Sequence, residues 1–304
     1  MLLLTGATGR VGSALLRRLT AARVPVRCLV RDPRRLGAER VRVQIALGDL
    51  ADPPSFRNAL RGVTTVVHLA ASLRDQPRGS IEELNGIATW RLVQAAERAG
   101  VAHFVFASAL GASAHSRSRF LRAKALAEQA VLESSVRHTI VAPSIVYAPG
   151  DKLTTLPGRL ALLPVVPISG RGHARFEPIW ADDVADCVMA ALDRPVDPER
   201  RDLRVELAGP DVHTYHDIVT IVLEAAGRPR PLLSVPIAMA ARALRLTEAL
   251  MKSAAPVTWD EAELLEVSMT SRHGTADCER LGVAPRRLAA VLGAENRASG
   301  AHPR

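Results

Sequence analysis

The sequence predicts an α/β fold: a doubly wound parallel sheet flanked by helices, followed by a small, mainly helical C-terminal lobe. Three observations predict it. The chain opens on a short apolar run, a glycine-rich turn and a helical pattern. Short apolar runs then alternate with helical spacing as far as residue 107, which is the pattern of parallel strands joined by crossover helices. After Asp151 the alternation loosens, and from Thr214 the chain reads as mostly helical.

Leu2-Leu3-Leu4-Thr5 reads as a buried strand, Gly6-Ala7-Thr8-Gly9-Arg10-Val11-Gly12 as a turn, and Ser13 to Ala22 as a helix. This strand–turn–helix unit gathers backbone N–H groups and the positive end of a helix dipole at one point. A pyrophosphate can sit there without a cationic side chain. Gly6 would allow the tight turn, Gly9 the close backbone approach, and Gly12 the packing of helix on strand. The unit is Rossmann-type and its natural ligand is a dinucleotide. No Gly-Lys-Ser/Thr closes the turn, which excludes a P-loop.

Val26 to Val30 is the second strand, and it ends in Arg31-Asp32-Pro33-Arg34-Arg35. An acid directly after this strand would accept from a ribose 2′-OH, but the first residue is Arg31, with Arg10 available from the glycine turn. Two guanidinium groups suit a 2′-phosphate. NADP(H) is therefore favoured as cofactor, and Asp32, one residue on, keeps NAD(H) open. Arg34 and Arg35 read as a solvated loop. Val41 to Leu47 is the third strand, closed by Gly48-Asp49-Leu50, with Asp49 a candidate N-cap for a helix near Ser55 to Leu60. Val63 to Leu69 is the fourth, and the small Ala70 and Ala71 after it let a cofactor lie close. His68 inside that strand reads as a core histidine. Ile81 to Ala99 is a helix, His103 to Ala107 the fifth strand, and another helix opens at Ser118.

Length allows one such domain with a smaller addition, and at 48% apolar residues the chain can bury a large core. The net charge is +9, carried almost wholly by arginine, since lysine occurs only at Lys124, Lys152 and Lys252. These arginines are scattered and aromatics are scarce, so the charge does not read as nucleic-acid binding. Cys28, Cys187 and Cys278 show neither metal-ligand spacing nor a disulfide framework. A reducing, cytoplasmic setting fits, and the N-terminus opens straight into the first strand without a charged leader.

Leu156 to Gly172 reads as a loop over the nicotinamide end. Ala181 to Leu192 is a helix with Asp182 or Asp183 as N-cap, and Leu203 to Leu207 a further strand. Ile237 to Met251 is an apolar helix with Arg242, Arg245, Glu248 and Lys252 on a narrow polar stripe. It is too short and charged to span a bilayer. Packing against the sheet domain is the preferred reading, with docking to a protein or membrane surface through 237–252, and hence a membrane-peripheral setting, as the alternative. The expected organisation is a dinucleotide-binding core over 1–145, a substrate-side lobe over 146–292 that returns to the core near 176–208, and a tail over 293–304 without order.

The spacing Gly6-x-x-Gly9-x-x-Gly12 resembles the short-chain dehydrogenase/reductase superfamily. The run Ser108-Ala109-Leu110-Gly111-Ala112 with Lys124 and Glu128 is similar to its atypical members. So are Ala142-Pro143-Ser144-Ile145-Val146-Tyr147-Ala148-Pro149-Gly150-Asp151, Phe176 to Ala185 and Glu206 to Pro210. Together these resemble the branch containing the nucleotide-binding accessory subunit of respiratory complex I and its free-standing bacterial relatives. The resemblance implies that Gly48-Asp49 lies beside the adenine and that Asn85, in Asn85-Gly86-Ile87-Ala88-Thr89, is a support residue. Its implied cofactor-binding set is Gly6, Thr8, Gly9, Arg10, Val11, Gly12, Arg31, Asp49, Leu50, Ala70, Ala71, Lys124 and Pro143. Ser108 and Lys124 are its implied catalytic residues, though a strand-end serine is as readily a structural cap. The superfamily pairs a tyrosine with the lysine four residues later: the lysine holds ribose hydroxyls and the phenol delivers a proton to a carbonyl. Here Phe120 precedes Lys124, and a phenyl ring has no proton to give. Two functions follow: an atypical oxidoreductase acting on a small or lipophilic carbonyl or quinone-like substrate, or a non-catalytic NADP(H)-binding protein that senses redox state or stabilises an assembly.

Overall fold

The computed structural model describes residues 1–193, 203–251 and 255–300. Its first half comprises β1 (Leu2–Thr5), α1 (Arg10–Ala21), β2 (Val26–Val30), β3 (Gln44–Leu47), α2 (Pro53–Phe56), β4 (Thr65–His68), α3 (Ala88–Arg98), β5 (His103–Ala107), α4 (Arg119–Leu132) and β6 (His138–Pro143). There follow β7 (Val146–Tyr147), α5 (Lys152–Leu160), β8 (Val166–Ser169), β9 (Arg175–Phe176), β10 (Ile179–Trp180), α6 (Ala181–Asp193) and β11 (Leu203–Leu207). The last part holds β12 (His213–Thr214), α7 (Tyr215–Ala225), β13 (Leu232–Val235), α8 (Ile237–Met251), α9 (Trp259–Leu264), α10 (Ala276–Arg280) and α11 (Leu288–Gly300). Seven strands form the main sheet in the order β11-β6-β5-β4-β1-β2-β3. Every neighbouring pair in it is parallel. This is the doubly wound sheet the alternation predicts. The winding reverses between β1 and β4, and ligands of such sheets bind in the crevice at that reversal.

Successive strand residues point to opposite faces, so each strand feeds two cores. Leu4, Val67, Val105 and Val141 meet Leu15, Leu16 and Leu19 of α1 and Val184 and Val188 of α6 on one face. Leu3, Phe104, Phe106 and Ile140 meet Leu92, Val93 and Ala96 of α3 and Val131 of α4 on the other. Each such fully buried leucine contributes roughly 1.5–3 kcal/mol. Gly12 brings α1 unusually close to the end of β1: a Cβ there would stand 2.0 Å from the Gly6 carbonyl oxygen.

Several elements differ from the sequence reading. Residues 33–41 form a 3₁₀ stretch capped by Asp32, so the third strand is reduced to an exposed edge over Gln44–Leu47. The helix near residue 55 begins at Pro53 with Asp52, not Asp49, at the N-cap, and it tightens to 3₁₀ over Arg57–Leu60. The expected loop over 156–172 contains most of α5 and all of β8. Asp151 caps α5 by accepting from the Thr154 N–H at 2.8 Å, and Pro157, buried within the helix, gives up a single backbone donor. Its partner strand β13, parallel to β8, adds a small sheet to the otherwise helical lobe. In α6 neither aspartate is a cap. Asp182 faces Arg17 and Arg18, while the buried Asp183 accepts from the Arg286 backbone N–H at 2.8 Å and side chain at 3.0 Å. Helix α8 has the expected bounds but buries none of its residues, so its apolar side does not pack on the sheet domain. Helix α11 runs to Gly300, into the stretch expected to lack order, and 301–304 lie outside the described residues. All three cysteines are buried free thiols. Among the described residues no helix is long and apolar enough to cross a membrane.

Candidate functional site

A cavity of about 630 Å³ opens at the C-terminal ends of β1, β2 and β4, where the winding reverses. Gly6, Thr8 and Gly9 line it from the glycine turn, Arg31 from the end of β2, Asp49 and Leu50 from beyond β3, and Ala70 and Ala71 from beyond β4. Gly6 has φ +73°, and a Cβ there would lie 2.5 Å from the Ala70 backbone nitrogen. Only glycine can hold that turn against that neighbour. Gly9 is the N-cap of α1, makes no side-chain cap bond, and no acid occupies the first turn. The N-terminus of this twelve-residue helix thus begins at the cavity wall, at Gly9, with no carboxylate in its first turn. Such a cradle fits a dinucleotide pyrophosphate. Val11 and Gly12 lie outside the lining, in the first turn of α1, where Val11 packs on the core.

The end of the cavity beyond β2 differs in detail from expectation. Arg31 lines the cavity and its Nη1 donates to Gln76 Oε1 at 3.1 Å. Arg10 does not join it: its Nη2 reaches the Gly150 carbonyl at 2.9 Å, since the first turn of α1 points that side chain toward the loop after β7. Arg35, read as solvated, lines the cavity beside Asp32. Asp32 Oδ1 accepts from the Arg34 backbone N–H at 3.0 Å, so half its carboxylate is committed to the cap. Asp49 is likewise engaged, accepting from the Ala51 N–H at 3.1 Å and pairing with Arg78 at 3.2 Å.

The far wall, with Ser72, Gln76 and Leu84, escaped the sequence reading. Asn85 holds it: its Oδ1 accepts from the Ser72 N–H at 2.9 Å, and its Nδ2 donates to the Ser72 carbonyl at 2.8 Å and that of Ile81 at 2.7 Å. A sequence signal was available. Ser80 and Glu83 form a reciprocal capping pair at the start of this helical segment, the Ser-x-x-Glu pattern of a helix entry. Below it, Thr89 donates to the Asn85 carbonyl, so His68 Nε2–H must donate to Thr89 Oγ1 at 2.9 Å. His68 Nδ1 then accepts from Thr5 Oγ1 at 2.6 Å. Burial lowers the His68 pKa to about 3, which keeps the ring neutral in this role. It is a core histidine that ties β1, β4 and α3 together.

Ser108, Phe120, Lys124 and Pro143 lie outside the lining of this cavity. The buried Lys124 Nζ donates to the Ala107 carbonyl at 2.6 Å and lies 5.7 Å from the Phe120 ring centroid. Burial lowers the Lys124 pKa to about 7, with Glu128 opposing the shift. Ser108 Oγ donates to Glu128 Oε2 at 2.6 Å, and Glu128 Oε1 accepts from Arg204 Nε at 2.6 Å. The serine is therefore held by a carboxylate and salt bridge. Pro143 is buried at the end of β6, where its carbonyl accepts from the Leu110 N–H at 2.9 Å. Tyr147 is fully buried, and burial raises its phenol pKa.

A family model described as NAD(P)H-binding matches residues 6–195. The chain is similar to a protein described as sterol demethylase protein B from Methylococcus capsulatus, with 32% identity across 77% of each chain. It is 28% identical to an NAD(P)H azoreductase from Xenophilus azovorans, across 80% of each. It is also 32% identical to the mitochondrial NADH dehydrogenase [ubiquinone] 1 alpha subcomplex subunit 9 of Arabidopsis thaliana, across 79% of this chain and 62% of that subunit.

Proposed function

Because this chain belongs to the NAD(P)H-binding family, we propose that it holds NADP(H), in preference to NAD(H), in the cavity at the sheet reversal and acts as an oxidoreductase on a lipophilic quinone-like acceptor. Arg31 and Arg35 at the ribose end, and the commitment of Asp32 to a cap, support the 2′-phosphate reading. The resemblance alone supports assigning Lys124 to ribose hydroxyls and Ser108 and Pro143 to the nicotinamide end, since all three lie outside the cavity lining. A bound dinucleotide would supply hydride.

One observation carries the choice of acceptor. The position from which a phenol would deliver a proton is filled by Phe120, and the Ser108 hydroxyl is directed to Glu128. A ketone or aldehyde needs a proton at its oxygen as hydride arrives. A quinone delocalises the charge and takes its proton from water. The similarity to a protein described as an NAD(P)H azoreductase supports an oxidoreductase reading in general.

The same Phe120 favours a second reading, a non-catalytic dinucleotide-binding protein that senses redox state or stabilises an assembly. The similarity to the Arabidopsis subunit supports it. One experiment separates the two: calorimetric titration with NADPH and NADH, followed by incubation of NADPH with a soluble quinone and, separately, a simple aldehyde. Tight NADPH binding with quinone turnover supports the oxidoreductase. Binding without turnover supports the second reading, and absence of binding removes both.

A further inference from the structure

Helix α8 is amphipathic in the wrong sense for a helix packed on a core. An apolar stripe normally faces inward, yet this fifteen-residue helix has no buried residue. At helical spacing Met239, Ala243, Leu246 and Leu250 share one face, and Met239, Leu246 and Leu250 are 60%, 62% and 76% exposed. The opposite side is the anchored one. Glu248 accepts from the Trp259 backbone N–H, and the Arg245 guanidinium lies 5.7 Å from the Trp259 ring centroid. Glu248 and Arg245 tie the helix to Trp259, with Leu244 half-buried on that side, while Leu246 and Leu250 face solvent.

The charge carried by α8 and the segment leading into it is basic. Arg242 flanks the stripe on the helix, and Arg228 and Arg230 precede β13; all three are exposed. Between residues 226 and 251 the sole acid is Glu248, which is turned to Trp259. A second copy meeting this patch about a two-fold axis would bring like guanidinium groups together, in a chain already at +9. An anionic bilayer answers both halves of the pattern, since apolar side chains enter the acyl boundary while arginines reach lipid phosphates. We propose that α8 docks this protein on the surface of anionic membranes, with Met239, Leu246 and Leu250 in the headgroup region and Arg242 on phosphates. This is independent of the dinucleotide reading.

The test is vesicle flotation of the full chain with phosphatidylglycerol–phosphatidylcholine vesicles and with phosphatidylcholine alone. The protein should float with the first and not the second, and added salt should release it. Leu246→Ser combined with Leu250→Ser should weaken partitioning by roughly tenfold or more. Arg242→Glu should weaken it by about fivefold or more. Circular dichroism melts verify that both variants are folded; should the double variant melt early, Arg242→Glu alone carries the test. No flotation with anionic vesicles, or equal flotation of the folded variants, overturns the proposal. So does a wild-type dimer in sedimentation that the leucine variant turns into monomer, because the patch would then join two copies.

Discussion

Lys124 and Phe120 stand one turn apart on α4, with the lysine ammonium 5.7 Å from the phenyl centroid and hydrogen-bonded to the Ala107 carbonyl at 2.6 Å. The pair keeps the spacing of a proton-donating tyrosine and its lysine but lacks the hydroxyl. The lysine therefore meets a ring face where it would otherwise meet a phenol, a contact that is itself mildly attractive.

Phe120→Tyr should restore what the spacing lacks. Position 120 is buried, so the added hydroxyl should cost about 1–3 kcal/mol unless it finds a partner. Wild-type protein should reduce aldehydes barely or not at all with NADPH, and the variant should do so measurably, within the roughly 10²–10⁴-fold range of a positioned proton donor. Brisk aldehyde reduction by the wild type, unchanged in the variant, would show that the proton comes from elsewhere.

Arg31→Ala should weaken NADPH by about 1.5–3 kcal/mol, one charge-assisted contact, and leave NADH nearly unchanged. Arg10→Ala should have little effect on the ratio, since Arg10 is directed at Gly150. Calorimetry with both cofactors checks it. Equal losses of both in Arg31→Ala would assign the ribose to Asp32.

The two glycines three residues apart should fail in different ways. A Cβ at Gly9 meets only the Gly6 carbonyl oxygen at 3.2 Å, whereas one at Gly12 would stand 2.0 Å from the same atom. Gly9→Val should abolish NADPH binding with a near-normal melt, and Gly12→Val should unfold the domain. Thermal melts paired with titrations distinguish them; unaltered NADPH affinity in folded Gly9→Val would remove the glycine turn from the site.

Lys124 should leave a signature in stability against pH. Burial lowers its folded pKa from 10.5 to about 7. Between those values the unfolded chain binds the extra proton, so stability should rise with pH across that window and level off below about 7. In Lys124→Met the rise should flatten. His68, lowered by burial from 6.5 to about 3, acts in the acid window, where stability falls as pH drops below 6.5. Denaturant midpoints measured across pH for both proteins give the slopes, and an identical rise in Lys124→Met would show that the lysine is charged in the folded state.

By itself the sequence determined the sheet and the glycine turn at its reversal. Both are written locally: apolar runs of strand length, and glycines where backbone must approach backbone, as Gly6 does to Ala70 and Gly12 to Gly6. The lysine-spaced phenylalanine was legible for the same reason, since four residues on a helix bring side chains together whatever surrounds them. The direction of long side chains was decided only by the tertiary structure. Arg35 lines the cavity while Arg10 reaches the Gly150 carbonyl, the reverse of what their positions suggest, because the guanidinium follows the turn it leaves and the loop it meets. Ser108 is held by Glu128 and Arg204, a partnership that requires β5, α4 and β11 to be adjacent in space. Helix α8 was legible as a helix, but its outward-facing leucines were not: periodicity reports that a stripe exists, and only packing reports which way it faces.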